Sequence, residues 1–187
     1  TTDGVFKMAA DLRRKTDVPL VFMTYYNPVF SYGNEKFFAN CRESGIDGII
    51  VPDLPFEEKG EITAVAAENG IQVISMIAPT SQERIRMIAK ESEGFLYVVS
   101  SLGVTGVRTK IETDLSAILK IVRESTDTPA AVGFGISKPE TAEKTGRTAG
   151  GVIVGSAIVK LIAKYGTDAG KYVYDYVKSM KDALKRI

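Results

Sequence analysis

The sequence predicts an α/β fold, a (β/α)8 barrel in which only about six of the eight βα units are present and the first two are missing. Short apolar runs alternate with longer amphipathic stretches along the 187 residues. Successive runs start roughly 20 to 35 residues apart, which leaves room for one helix and two short loops in each unit and predicts a parallel sheet. Glycines cluster after the last two runs, where barrels commonly bind phosphate.

An open, doubly wound sheet is the alternative architecture. Such a sheet usually has a Gly-x-Gly-x-x-Gly motif after its first strand, and no such motif follows Tyr25. No linker rich in Pro, Gly or Ser interrupts the chain. We therefore expect residues 1–187 to form a single barrel domain that is incomplete at its N-terminus, because a whole barrel typically has about 250 residues.

Six runs are predicted as strands because each is apolar on both faces, as buried parallel strands are. They are residues 20–25, 48–51, 72–77, 95–100, 130–133 and 151–154. The stretches between them have helical spacing and capping signals, such as Ser81 before an acidic first turn and Gly45 after a helix end. The predicted helices are residues 4–15, 34–44, 57–69, 81–92, 113–125, 138–146, 156–164 and 168–186.

Composition excludes several classes of function. The 24 Lys and Arg balance 23 Asp and Glu, which gives no electrostatic reason to expect nucleic acid or an anionic membrane as a partner. There is no histidine, which excludes a Ser-His-Asp triad and histidine-ligated metal sites, and we expect no metal. The one cysteine cannot form an intrachain disulfide, so we expect a reducing, cytoplasmic location.

Two glycine-bearing strand ends predict a phosphate site. Gly135 would let backbone N–H groups approach an anion closely. Gly155 and Ser156 would begin a helix, whose N-terminus attracts anions. The alternative is that these glycines only make tight turns between strand and helix. The pattern indicates a ligand group and does not specify a reaction.

Three other stretches have a possible chemical role. Residues 103–110 (GVTGVRTK) are glycine-bearing and basic, as a lid over a phosphorylated substrate would be, or form a solvated loop. In residues 51–55 (VPDLP), Asp53 is either an acid or base at a strand end or part of a rigid turn. Tyr25 and Tyr97 would either line a pocket for a planar substrate or pack in the core. No lysine lies at a strand end, which disfavours a Schiff base.

In their order along the chain, five motifs resemble the tryptophan synthase alpha subunit family. The resemblance covers the whole chain with order and spacing intact, and the combination of motifs is quite specific. The motifs are YYNP at 25–28, VPDLP at 51–55, GVTG at 103–106, GFGIS at 133–137 and GSAIVK at 155–160.

The resemblance implies a lyase that cleaves indole-3-glycerol phosphate into indole and glyceraldehyde 3-phosphate by a retro-aldol reaction in tryptophan biosynthesis. It implies no cofactor in this chain; pyridoxal phosphate is expected only in a beta-subunit partner, which receives the indole in an alpha2beta2-type complex. The implied site residues fall into three groups. They are Gly106, Gly135, Gly155 and Ser156 for the phosphate, Tyr25, Tyr97, Thr105 and Phe134 for the rest of the substrate, and Asn27, Phe30, Asp53 and Pro55 for the beta subunit.

The family's two catalytic carboxylates have no counterpart among these residues. In the family a Glu on the second strand and an Asp in the following loop perform the proton transfers, and both belong to the segment that we expect to be missing. We therefore assign no catalytic residue and expect the 187 residues alone to be inactive. The alternatives are a non-catalytic phosphate-binding or regulatory subunit, and another phosphate-binding barrel of the same pathway, such as indole-glycerol-phosphate synthase or phosphoribosylanthranilate isomerase.

Overall fold

The computed structural model describes residues 1–99, 111–133 and 135–186 and has the predicted α/β architecture. Its strands form two sheets, ordered β1-β2-β3 and β4-β5-β6-β7, and the registered pairs run parallel. The strands are β1 Val21–Met23, β2 Gly48–Ile50, β3 Gln72–Val73, β4 Met76–Ile77, β5 Leu96–Val99, β6 Ala130–Gly133 and β7 Gly150–Val152.

Helices connect the strands, and two short 3-10 helices, Phe56–Glu58 and Gly166–Asp168, precede α4 and α9. No helix within the described ranges is both long and apolar enough to cross a membrane. The α-helices are α1 Thr2–Arg13, α2 Tyr26–Tyr32, α3 Asn34–Ser44, α4 Gly60–Glu68, α5 Gln82–Lys90, α6 Ile111–Ser125, α7 Pro139–Ala149, α8 Ser156–Tyr165 and α9 Ala169–Leu184.

The prediction of one strand over residues 72–77 is wrong. This run contains β3, which pairs with β2, and β4, which belongs to the other sheet. Ile74 and Ser75 lie between them and are buried. A continuous apolar run shows that a segment is buried but does not show where its pairing partner changes.

Two features of the first strand also differ from the prediction. Val21 and Met23 are exposed, so β1 is not buried on both faces, and only Phe22 packs against the core. Helix α2 follows directly, where the sequence predicted no helix. It has only seven residues, with Pro28 in its first turn, and so lacks the repeated 3.6-residue pattern that identifies longer helices.

The chain divides into two compact units, and the prediction that residues 1–187 form one domain stays a prediction. Unit 1 comprises Thr1–Met76 and Ser92–Gly94. Its core contains the buried Phe37, Phe38 and Cys41 of α3. Burial raises the pKa of the Cys41 thiol to about 12, so the thiol stays protonated at neutral pH.

Unit 2 comprises Ile77–Glu91 and Phe95–Ile187. In its sheet β5 pairs with β6, and β6 pairs with β7. The registers begin with Leu96 opposite Ala130 and with Ala130 opposite Gly150. The carboxyl ends of these three strands therefore lie at one edge of the sheet.

Arg13 links the end of α1 to the turn between α3 and β2. Its Nε donates to the Gly45 carbonyl over 2.9 Å, and its Nη2 lies 2.6 Å from Asp47 Oδ2. Its Nη1 donates to the carbonyls of Thr16 and Val18, each over 3.1 Å. Gly45 ends α3 in the left-handed region, at φ 74°, with the Arg13 side chain against its Cα.

We expect Gly45→Ala to destabilise unit 1 more than Gly70→Ala. Both glycines have nearly the same φ, 74° and 72°, so both variants have the same backbone cost of about 1–2 kcal/mol. A Cβ at Gly45 would lie 2.6 Å from Arg13 Cγ, whereas a Cβ at Gly70 would meet nothing within 4 Å. In urea unfolding, the free energy of unfolding of Gly45→Ala should therefore be about 1–3 kcal/mol lower than that of Gly70→Ala.

The matched pair isolates the steric effect, since the backbone cost is shared. Adding Arg13→Ala to Gly45→Ala should abolish the clash, so the double variant should lose less stability than the sum of the two single changes. Equal losses for the two alanine variants would contradict the prediction.

Candidate functional site

A hydrogen bond joins the loops that follow β1 and β2. The Asp53 Oδ1 atom accepts from the Tyr26 backbone N–H over 2.9 Å, at the first residue of α2. Asp53 is held in a tight turn, in which the Leu54 N–H donates to the Val51 carbonyl over 3.3 Å. Asp53 was interpreted either as an acid or base or as part of a rigid turn. The structure supports the rigid turn, because the carboxylate accepts a backbone hydrogen bond.

This hydrogen bond brings together the four residues predicted to meet a partner. Asn27 and Phe30 lie on α2, and Asp53 and Pro55 lie on the loop after β2. All four are exposed, and Phe30 leaves 65% of its surface exposed. Their contact with a partner stays a prediction.

Sequence reasoning missed the role of Tyr26. Its phenol donates to Glu61 Oε2 over 3.4 Å and accepts from Asn34 Nδ2 over 3.3 Å, so the side chain ties α2 to the first turns of α3 and α4. Pro28 was the available signal, because proline is favoured in the first turn of a helix. Tyr25, the residue before α2, leaves 67% of its surface exposed within unit 1.

In unit 2, Tyr97 lies against a glycine of the neighbouring strand. Tyr97 pairs with Ala131, and Gly133 is two residues further along the same face. A Cβ on Gly133 would lie 2.3 Å from the Tyr97 hydroxyl oxygen and 2.5 Å from the ring, so the ring occupies the space that a side chain would need. Tyr97 is buried, and this burial raises the pKa of its phenol.

The predicted phosphate residues that the structure describes lie after the carboxyl ends of β6 and β7. Gly135 is exposed, with φ 76°, and a Cβ there or at Gly155 would meet none of the described residues within 4 Å. Gly155 precedes α8, and Ser156 is the first residue of that helix. The first turn of α8 has no acidic residue, and no side chain of the described residues caps it.

The segment after Gly135 is anchored from two sides. Ile136 is buried, and the Tyr176 hydroxyl of α9 donates to the Ser137 carbonyl over 3.0 Å. This anchoring fixes the backbone that follows Gly135, which is what a preorganised anion site needs. Burial raises the pKa of the Tyr176 phenol.

Three predicted site residues lie outside the described residues: Thr105, Gly106 and Phe134. Tyr25 belongs to unit 1 and Tyr97 to unit 2. Among the described side chains, no three His, Cys, Asp or Glu residues are grouped as a metal site would require.

Comparison with known proteins decides between the families that share such phosphate-binding barrels. The family model for the tryptophan synthase alpha chain matches residues 1–185. The chain belongs to this family. Within the tryptophan synthase alpha chain family, it is 45% identical to the protein of Thermoanaerobacter sp. (strain X514) over 183 residues, and 42% identical to that of Lacticaseibacillus casei over 189 residues. These matches cover 98% and 100% of this chain, and 69% and 71% of the relatives.

Solved structures show the same fold. The tryptophan synthase a2b2 complex of Pyrococcus furiosus contains a chain that matches with a TM-score of 0.85 and 35% identity, over 97% of this chain and 73% of that one. A structure from Aquifex aeolicus VF5 matches with a TM-score of 0.86 and 38% identity, over 97% and 68%. These comparisons confirm the family resemblance and the partial (β/α)8 fold. The roles of the individual site residues stay predictions.

Proposed function

We propose that this chain serves tryptophan biosynthesis as a tryptophan synthase alpha chain, a family of carbon–carbon lyases whose reaction releases indole and glyceraldehyde 3-phosphate from indole-3-glycerol phosphate. The family match over residues 1–185 is the observation that carries the proposal. The free cysteine is fully buried, which agrees with a protein of the reducing cytoplasm.

The phosphate of the substrate would bind at the start of α8. Backbone N–H groups after Gly155, the positive end of the helix and the Ser156 hydroxyl would share its charge. The backbone near Gly135 would approach from the neighbouring strand end, since it has no side chain in the way. We propose the same role for Gly106.

Aromatic side chains would hold the indole and the glyceryl group. Tyr97 is buried within β5 of unit 2, and we propose that its ring contacts the indole. Tyr25, Phe134 and Thr105 are the other residues that we propose. No cofactor is needed for this binding. The phenol of Tyr97 is protonated at neutral pH and can donate a hydrogen bond, and burial raises its pKa further.

The surface formed by Asn27, Phe30, Asp53 and Pro55 would contact a tryptophan synthase beta subunit. Its four residues are exposed and lie on two joined loops. The solved Pyrococcus furiosus relative is part of an a2b2 complex, which supports the same kind of assembly here.

We further propose that the 187 residues bind the substrate but do not cleave it. General acid–base catalysis of this cleavage needs carboxylates at the indole nitrogen and the glyceryl hydroxyl, and none of the residues assigned to the site is a carboxylate directed to those atoms. A regulatory effect on the partner is therefore the second candidate function, favoured by the exposed partner surface.

Two assays test these proposals. Calorimetry should detect binding of indole-3-glycerol phosphate, while chromatography should detect no free indole above the rate without protein. Added to a beta subunit, the chain should change the turnover of serine plus indole. Release of indole by a chain of verified mass would refute the inactivity.

A further inference from the structure

We propose that Asp53 is a positioning residue, which fixes the beginning of α2 and thereby the surface that α2 presents. The inference rests on the proposed function only in taking Asn27 and Phe30 of α2 as partner contacts. The hydrogen bond itself, from the Tyr26 N–H to Asp53 Oδ1 over 2.9 Å, is independent of any function.

The amides at the beginning of α2 show why an outside acceptor matters. The first N–H groups of a helix have no partner within the helix. Tyr25, which precedes α2, makes no side-chain cap, and Pro28 has no N–H to offer. Asp53 satisfies the amide of Tyr26, so a residue 27 positions further along the chain does the work of a missing local cap.

The position of Asp53 follows from the pairing of β1 with β2. Met23 pairs with Ile50, and the Thr24 N–H then donates to the Ile50 carbonyl over 3.1 Å. After this backbone hydrogen bond, the two segments are joined through a side chain, because Asp53 accepts from the Tyr26 N–H. The Asp53 carboxylate therefore connects the two loops that follow the paired strands β1 and β2.

A direct role is the competing explanation: the Asp53 carboxylate would contact a cation of the partner. The two explanations differ for one substitution. Asparagine keeps an oxygen acceptor for the Tyr26 N–H and caps helices about as well as aspartate, but it has no charge. Capping predicts that Asp53→Asn is nearly neutral, whereas a direct ion pair predicts that it is as harmful as Asp53→Ala.

Two measurements on the full chain separate these explanations. Hydrogen exchange followed by NMR should show about five- to tenfold faster exchange of the Tyr26 amide in Asp53→Ala, and little change in Asp53→Asn. Titration with a tryptophan synthase beta subunit should show binding weakened about tenfold by Asp53→Ala and less than about threefold by Asp53→Asn. The control is Glu58→Ala, which removes an exposed negative charge from the 3-10 helix that follows Asp53. Its Tyr26 exchange rate and its affinity for the beta subunit should equal those of the wild type.

Each outcome supports or overturns one statement. Unchanged protection of the Tyr26 amide in Asp53→Ala overturns the inference whatever the binding shows. If Asp53→Asn and Asp53→Ala weaken binding equally, the inference is overturned in favour of a direct ion pair. If no form of the chain binds a beta subunit while Tyr26 exchange follows the expected order, the capping role stands and the proposed partner function fails.

Discussion

Replacing Gly133 with alanine is expected to destabilise unit 2 by about 2–3 kcal/mol and to displace Tyr97. The new Cβ would lie 2.3 Å from the Tyr97 hydroxyl oxygen and 2.5 Å from its ring, and neither a strand backbone nor a buried ring can move away freely. Urea unfolding would give the loss of stability. Calorimetry with indole-3-glycerol phosphate should show at least about tenfold weaker binding if Tyr97 lines the pocket.

Gly151 in the adjacent strand β7 provides a matched control. A Cβ there would meet the Ala131 Cβ at 3.3 Å, so Gly151→Ala should cost less than about 1 kcal/mol. Adding Tyr97→Leu to Gly133→Ala should recover stability, because the smaller side chain vacates the space. A Gly133→Ala variant as stable as the wild type would show that the ring does not depend on this glycine.

Placing a negative charge at the start of α8 should weaken phosphate binding while it strengthens the helix. In Ser156→Asp the carboxylate favours the positive end of the helix, which should raise stability by about 0.3–1 kcal/mol. The same carboxylate repels a phosphate at that position, so affinity for inorganic phosphate and for indole-3-glycerol phosphate should fall at least about tenfold. Thermal unfolding and calorimetry on the same sample measure the two effects.

The opposite signs make this prediction specific, since a merely disruptive change would lower both quantities. Gln82→Glu is the control, because it adds the same charge at the first residue of α5, a helix that follows β4 rather than β6 or β7. Its affinity for phosphate should equal that of the wild type. Undiminished affinity in Ser156→Asp would place the phosphate elsewhere.

The sequence was sufficient for the alternation of strands and helices and for the family. Helix ends were predictable where a local signal exists: the Ser81 hydroxyl accepts from the Arg84 N–H, and Gly45 ends α3 with a positive φ. Cys41 is buried together with Phe37 and Phe38 of the same helix. These features depend on interactions within a few residues along the chain.

The features that were missed depend on contacts distant in the sequence. Helix α2 takes its cap from Asp53, and the local sequence offered only Pro28 as a signal of its first turn. The break between β3 and β4 depends on which strand each one pairs with. The exposure of Val21 and Met23 was also unpredictable, because an apolar residue pattern does not reveal whether a partner covers it.

The boundary between the two compact units has a consequence for dividing the protein into fragments. Unit 1 is discontinuous, because Ser92–Gly94 belongs to it although Ile77–Glu91 does not. Gly94 lies close to Gln72 and Ile74, whose side chains would clash with a Cβ at that position. A fragment that ends at Met76 would therefore lack Ser92–Gly94, the segment of unit 1 that lies next to β3. Two polypeptides that both contain residues 77–94 would each retain a complete unit.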